Sequence, residues 1–461
     1  MNKGDIISTR IIDMTAEGAG LGRVDGMAVF VDGCIPGDKV QAEVTKAKKN
    51  FAQAKCVAVL EESEDRIQSA CPYSERCGGC QLQEMDYSAQ LKLKHKQVKD
   101  KLERLGGLEN PVVNDTVGQW YEDEDGKVYE PFKYRNKGEY PVWNDLVGFY
   151  ERKSHKIVPV DECLLQSEAA DVCARAVKTF NKGDIKQLIV KTAFGTGEVM
   201  VILEGKSIEN APYLEDLIYA MDEQLEEIEY SLESVYALND GKYRIIAGKK
   251  TIIDEVEFAD RTLQFEISAP SFYQVNTEQM KKLYGIAADY AGLTGEETIL
   301  DIYCGIGTIG LSMADKAKFI VGIEVVKDAC LDANRNSVIN GILNSRYVCG
   351  KAEEVIAKVT AEGYEPKPNS AEGELLKALQ SGNCVAVLDP PRAGCDEIVL
   401  KAVADANIPK IVYISCDPGT LARDIKILGE LGYEFKEATP VDMFPWTGHV
   451  ETVCLLSKKN S

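Results

Sequence analysis

Asp301-Ile302-Tyr303-Cys304-Gly305-Ile306-Gly307-Thr308-Ile309-Gly310 runs from the end of a strand-like stretch, 298–303, into a helical one. Glycines at a strand end let a ligand approach the backbone, at the carboxyl edge where open α/β sheets bind ligands. Glu324 closes the next strand-like run, where a carboxylate can accept hydrogen bonds from both hydroxyls of a ribose. The spacing of Gly305, Gly307 and Gly310 also fits a dinucleotide fingerprint loosely. Asp301 at the strand tip would repel a pyrophosphate, whereas S-adenosylmethionine carries no phosphate and has a sulfonium charge. Further strand-like runs fall at 319–324, 346–349, 384–389, 410–415, 433–438 and 450–456. Helical or loop segments separate the first six. This βαβ series predicts an α/β domain over 270–461 with a mostly parallel sheet covered on both faces. The last two strands are close enough for an antiparallel hairpin. Asn276 with Gln279 resembles a capping box ahead of the helical face Met280, Leu283, Tyr284, Ala287 and Ala288. Residues 361–382, rich in Glu, Pro, Ser and Gly, read as a surface excursion.

Upstream the pattern changes. Residues 1–62 read as short strands, 5–14, 27–31, 38–44 and 51–60, with a Gly-rich turn at Glu17–Gly22. That pattern predicts a small OB-like β-barrel. The link Glu61-Glu62-Ser63-Glu64-Asp65 closes it. A central α+β unit over 63–269 begins with a cysteine cluster. Its helix 87–105 has an apolar face of Tyr87, Leu91, Val98, Leu102 and Leu105, and a lysine-rich polar side that reads as solvated. Gly106-Gly107 ends that helix. Residues 110–268 alternate strand-like and helical pieces without one clear fold signal. Lys133–Lys137 and Arg152–Lys156 interleave basic and aromatic or imidazole side chains, which suits stacking on bases or an ordinary strand with exposed charge.

The chain has 461 residues, with 53 basic against 74 acidic side chains, a net charge of −21. Nucleic-acid binding therefore needs local basic faces. No signal peptide and no membrane span is evident, so a cytoplasmic setting without a membrane partner is expected. Fourteen cysteines spread over the chain do not suggest a disulfide framework. Only three histidines, His95, His155 and His449, argue against a Ser-His-Asp machine or a His-rich metal site.

Asp389-Pro390-Pro391-Arg392 ends the fourth strand-like run as a rigid extended turn that can present Asp389 to a ligand. Ile414-Ser415-Cys416-Asp417-Pro418 ends the fifth. Asp417 reads as an N-cap and Pro418 as the first helical residue. Cys416 thus stands at a strand-to-helix corner on the same edge as Gly305 and Asp389, where helix amides would favour a thiolate. A nucleophilic thiol beside a methyl donor has a reaction to perform. Uracil C5 is too weak a nucleophile to take a methyl group directly. Thiolate addition at C6 creates an enolate whose C5 attacks the methyl, and a base must then remove the C5 proton. Glu451 in His449-Val450-Glu451-Thr452, beside an apolar run, is the candidate base.

At these residues the sequence resembles the RumA-type RNA uracil-5-methyltransferases, the family that modifies 23S ribosomal RNA. The resemblance covers nearly the whole chain. It rests on Ser271–Asn276, Asp301–Gly310, Asp389–Arg392, Ser415–Pro418 with Leu421-Ala422-Arg423-Asp424, and His449–Thr452. It implies a Rossmann-like class I methyltransferase domain, a TRAM barrel at the N-terminus and an RNA substrate. It also implies donor binding by Gln274, Tyr303, Glu324 and Asp389, with Cys416 as nucleophile and Glu451 as base. The TRAM domain points to the ribosomal branch, because the tRNA-modifying branch generally lacks it. No obligate protein partner is implied. Several members have Asn where Asp417 stands and His where Trp446 stands.

Cys71, Cys77 and Cys80 have the spacing Cys-x5-Cys-x2-Cys, with Gly78-Gly79 between the last two. Thiolates in so tight a loop suit zinc or an iron-sulfur cluster, with Cys163 as the candidate fourth ligand. The family resemblance implies a [4Fe-4S] cluster on these four. The Cys-x3-Cys-x2-Cys of radical donor-cleaving enzymes is absent.

Overall fold

A computed structural model describes residues 1–122, 128–129, 131–259 and 261–459. The seven expected strands of the C-terminal sheet are Thr298–Ile302, Phe319–Glu324, Ser345–Cys349, Cys384–Leu388, Lys410–Ser415, Tyr433–Val441 and Glu451–Lys458. Numbered in chain order, they lie 3-2-1-4-5-7-6 across the sheet. The first five are parallel. The seventh runs antiparallel between the fifth and the sixth. The fourth and fifth strands are buried throughout apart from Lys410, as a sheet covered on both faces requires. Asn276 caps helix Thr277–Ala291 by accepting the Gln279 amide at 3.2 Å. The Gln279 side chain does not close the box. It donates to the carbonyls of Val117 and Asp442, at 3.0 and 2.9 Å.

The N-terminal six-stranded sheet covers Ile6–Glu61. The expected strand over 5–14 is broken into Ile6–Arg10 and Asp13–Met14. The expected turn at Glu17–Gly22 is partly a strand, Gly20–Val24. The glycines serve packing there. A Cβ on Gly20 would come within 2.7 Å of Cys34 Sγ, and one on Gly22 within 2.6 Å of Thr9 Oγ1.

The central region, unreadable from periodicity, forms a seven-stranded mixed sheet with helices Glu168–Phe180 and Leu214–Glu226 packed on it. Only one of its six strand pairings is parallel. Strands Thr251–Phe258 and Arg261–Ser268 pair separately and pack towards the C-terminal sheet. The expected excursion at 361–382 contains helix Ala371–Ser381. Ser370 caps it, and it buries Leu375 and Ala378. No helix among the described residues is long and apolar enough to cross a membrane.

Helix Tyr87–Arg104 forms as expected, with Asp86 accepting the amides of Ser88 and Ala89. Its lysine side is not wholly solvated. Lys94 is fully buried in an ion pair with fully buried Asp442, and it also donates to the Phe444 carbonyl at 3.1 Å. This pair ties the central helix to the connection that precedes the last strand. Removing one partner strands the other charge without water. Lys94→Met should therefore cost about 3–5 kcal/mol of unfolding free energy in urea titrations. Lys94→Met with Asp442→Leu should recover most of that loss.

Candidate active site

Four acidic groups and one thiol gather at the carboxyl edge of the C-terminal sheet. Asp301 is fully buried, and its Oδ2 accepts the Gly310 amide at 2.9 Å. Its Oδ1 is buried without a partner. Burial, with Glu324 nearby, pushes its carboxyl up to about 7. Between Asp301 and Gly310 the chain turns through left-handed backbone at Tyr303, Gly305 and Gly307, with φ of 68°, 54° and 85°. Glu324 secures that turn. Its Oε2 accepts the Gly305 amide at 3.1 Å and its Oε1 the Val326 amide at 2.8 Å. Asp389 is half-buried, and its carboxyl is pushed up to about 7 by loss of water and then by Asp301.

Cys416 and Glu451 meet through sheet register. Ser415 pairs with Thr452, and Glu451 pairs on its other side with Val441. Extending the fifth strand by one residue therefore sets Cys416 opposite Glu451. Glu451 is buried, and burial followed by the nearby Asp389 carboxylate pushes it up to about 8, against a lowering by Arg392. Asp417 caps helix Pro418–Glu430 as expected, accepting the amides of Gly419 and Thr420 at 2.7 and 3.1 Å. The expected thiolate is not what the free protein holds. Burial, then Glu451, pushes the Cys416 thiol up to about 12, and Arg392 lowers it only partly. The helix amides are committed to the Asp417 carboxylate, and burial with the Glu451 carboxyl outweighs Arg392.

The other candidate residues lie further out. Tyr303 packs on the face of the sheet that faces away from helix Thr277–Ala291, with its hydroxyl against the Cys395 thiol. Gln274 is buried in the segment before that helix, its carbonyl accepting Asn136 Nδ2 at 2.8 Å. Two groups were not singled out from sequence as site residues. Arg392 is the cation that faces both Cys416 and Glu451. Tyr284 is fully buried beside Asp389, Asp301 and Glu451, and hydrogen-bonds Thr308 Oγ1 at 2.9 Å. The Asp-Pro-Pro-Arg motif carried a signal for the first; Tyr284 read only as one position on an apolar helix face.

Cys71, Cys77, Cys80 and Cys163 line a separate cavity of about 400 Å³ in the central region. Arg152 fixes their loop by donating to the carbonyls of Cys77, Ser74 and Cys80, at 3.3, 3.1 and 3.1 Å. Lys133 pairs with Asp171 and Glu162, and Tyr134 is buried. Much of the basic-aromatic interleaving is therefore structural. Among the described residues no group of three or more His, Cys, Asp or Glu side chains is arranged to hold a metal ion. The four cysteines expected from sequence to hold zinc or an iron-sulfur cluster are brought to this one cavity.

Residues 87–459 match the family described as tRNA (Uracil-5-)-methyltransferase, and residues 3–57 match the TRAM domain. An uncharacterised RNA methyltransferase of Caldanaerobacter subterraneus is 40% identical, over 99% of this chain and 100% of that one. Another, from Halalkalibacterium halodurans, is 38% identical over 100% and 98%. A solved structure of Pyrococcus abyssi tRNA (uracil-54, C5)-methyltransferase in complex with S-adenosyl-L-homocysteine is similar, with a TM-score of 0.71 and 25% identity. It covers 98% of this chain and 100% of that one.

The raised carboxyl of Glu451 has a consequence for stability. A buried acid whose folded pKa is raised favours folding fully below its unfolded value. That contribution is lost as pH rises through the folded value. Glu451→Gln escapes this loss. Its stability relative to the unaltered protein should grow by about 1 kcal/mol per pH unit from the ordinary carboxylate range up to about 8, then level off. Denaturation curves across that range would show it.

Proposed function

Because this chain belongs to the tRNA (uracil-5-)-methyltransferase family, we propose that it transfers a methyl group from S-adenosylmethionine to C5 of a uridine in RNA. The observation that carries the chemistry is the register that sets Cys416 opposite Glu451, with Asp389 and Arg392 beside them. The donor is a co-substrate that supplies an electrophilic methyl carbon. The acidic set Asp301, Glu324, Asp389 and Glu451 suits its positive charge, and a sulfonium held there lowers every neighbouring acid, the Cys416 thiol included.

With the thiol lowered by the donor's positive charge, Cys416 gives up its proton to solvent; the thiolate Sγ then adds to C6 of uracil and the pair from the C5–C6 double bond moves towards O4 as an enolate. C5 then attacks the methyl carbon and the donor leaves as the neutral thioether. Glu451 takes the C5 proton, the double bond reforms and the C6–S bond breaks, returning Cys416. Glu324 is proposed to hold the donor ribose, and Gln274, Tyr303 and Asp389 to complete the donor site. Cys416→Ala should lose at least about 1,000-fold in rate. Glu451→Gln should accumulate a covalent protein–RNA adduct on denaturing gels, because addition and methyl transfer precede the proton loss. Full activity in Cys416→Ala would sink this mechanism.

We propose 23S ribosomal RNA as the target. The similarity to a transfer-RNA enzyme spans 98% of this chain, which supports transfer RNA as a second reading. Mapping 5-methyluridine in both RNAs, from cells with and without the gene, separates the two.

We further propose that Cys71, Cys77, Cys80 and Cys163 hold a [4Fe-4S] cluster. Four soft donors flank one cavity and lie within electrostatic reach of one another. Donors spread around a cavity fit a group several atoms wide better than a single tetrahedral ion. The cluster supplies a rigid cross-link for the loop when bound. Cys77→Ser should lose iron and the brown colour and weaken folding or RNA binding. A colourless, zinc-loaded wild-type protein would overturn this assignment.

A further inference from the structure

Nine residues, 442–450, join the sixth strand to the seventh. Connections between neighbouring antiparallel strands are usually two to five residues and exposed. This one is almost wholly buried, with only Phe444 and His449 partly exposed. Trp446 heads the largest fully buried side chains of the described residues. It also adopts left-handed backbone, φ 68°, which a bulky residue rarely does.

That conformation is held from several sides. The Trp446 carbonyl accepts the amides of Gln81 and Leu82, at 3.1 and 3.0 Å, the two residues after Cys80. Its own amide donates to Gln90 Oε1, and its indole Nε1–H to the Pro131 carbonyl, both at 3.1 Å. The ring stacks on Phe132 with centroids 5.2 Å apart. Its neighbours are tied as firmly. The Tyr134 hydroxyl donates to the Pro445 carbonyl at 2.9 Å, and Asn276 Nδ2 to the Met443 carbonyl at 3.2 Å. Gly448 lies against the Ala16 carbonyl, where a Cβ would come within 2.1 Å. Backbone conformations this unfavourable persist only where the surroundings over-determine them, and such places are enriched in functional geometry. Five residues beyond Trp446 stands Glu451.

We propose that Trp446 is a positioning residue for the proton abstraction, locking the 442–450 connection to the cysteine loop and to helix Tyr87–Arg104 so that Glu451 is held opposite Cys416. This rests on the roles proposed above for those two residues. It also places the cysteine loop in mechanical contact with the base, through Gln81, Leu82 and the Trp446 carbonyl.

Unmodified 23S rRNA and tRNA transcripts, with the donor, provide the test. Trp446→Leu should lower kcat by about 10–100-fold, with KM for RNA and donor little changed. The covalent adduct should accumulate above the wild-type level, because the stalled step follows adduct formation. Trp446→Phe keeps the ring and removes the indole donor. It should shift both readouts the same way by less, and it decides alone if the leucine variant does not fold. A fall in kcat without adduct, or a rise in KM at constant kcat, overturns the proposal. Adduct in Glu451→Gln but in neither Trp446 variant removes only this inference. Absence of adduct in Glu451→Gln removes the reading of Glu451 on which it rests.

Discussion

The last strand runs against its neighbours, and the site depends on that reversal. Strands one to five deliver Asp301, Glu324, Asp389 and Cys416 to one edge because parallel strands all end there. An antiparallel strand inserted beside the fifth begins at that same edge. Its first residue, Glu451, is therefore delivered to the place where Cys416 has just ended. A parallel seventh strand would put Glu451 at the opposite edge. The buried connection 442–450 and the Lys94–Asp442 ion pair keep this start point fixed against the central region.

The electrostatics of the edge follow from packing acids together away from water. Asp301, Asp389, Glu451 and the Cys416 thiol all bind protons more tightly than usual. Arg392 acts on both Cys416 and Glu451, and its effect is smaller than that of Glu451 on Cys416 and that of Asp389 on Glu451. A site so arranged is at its least favourable when empty of positive charge. It gains most from a ligand that brings one, and the gain extends to every acid in the set. Expecting a thiolate from helix amides alone left out burial and the carboxyl neighbours, which are supplied by distant parts of the chain.

Legibility varied with how local the cause was. The C-terminal strands were readable because buried parallel strands are continuous apolar runs and their loops carry glycine, proline and capping residues. The central sheet was not, because its strands mix parallel and antiparallel pairings. Gly20 and Gly22 looked like turn residues, yet they are strand residues with no space for a side chain. Lys94 looked like one more surface lysine among six basic residues, yet it is buried by a partner 348 positions away.

By itself the sequence determined where the strands of the C-terminal sheet fall along the chain, the glycine turn after Asp301, the N-cap at Asp417 and the residue types available for chemistry. Each of these is dictated by a few neighbouring residues, through backbone conformation, capping and hydrophobic periodicity. Only the tertiary structure decided that Glu451 faces Cys416, that the free thiol holds its proton, and that the cysteine loop bears on the connection before Glu451. Those depend on pairing register, on burial and on charges brought together from distant parts of the chain, none of which a local pattern encodes.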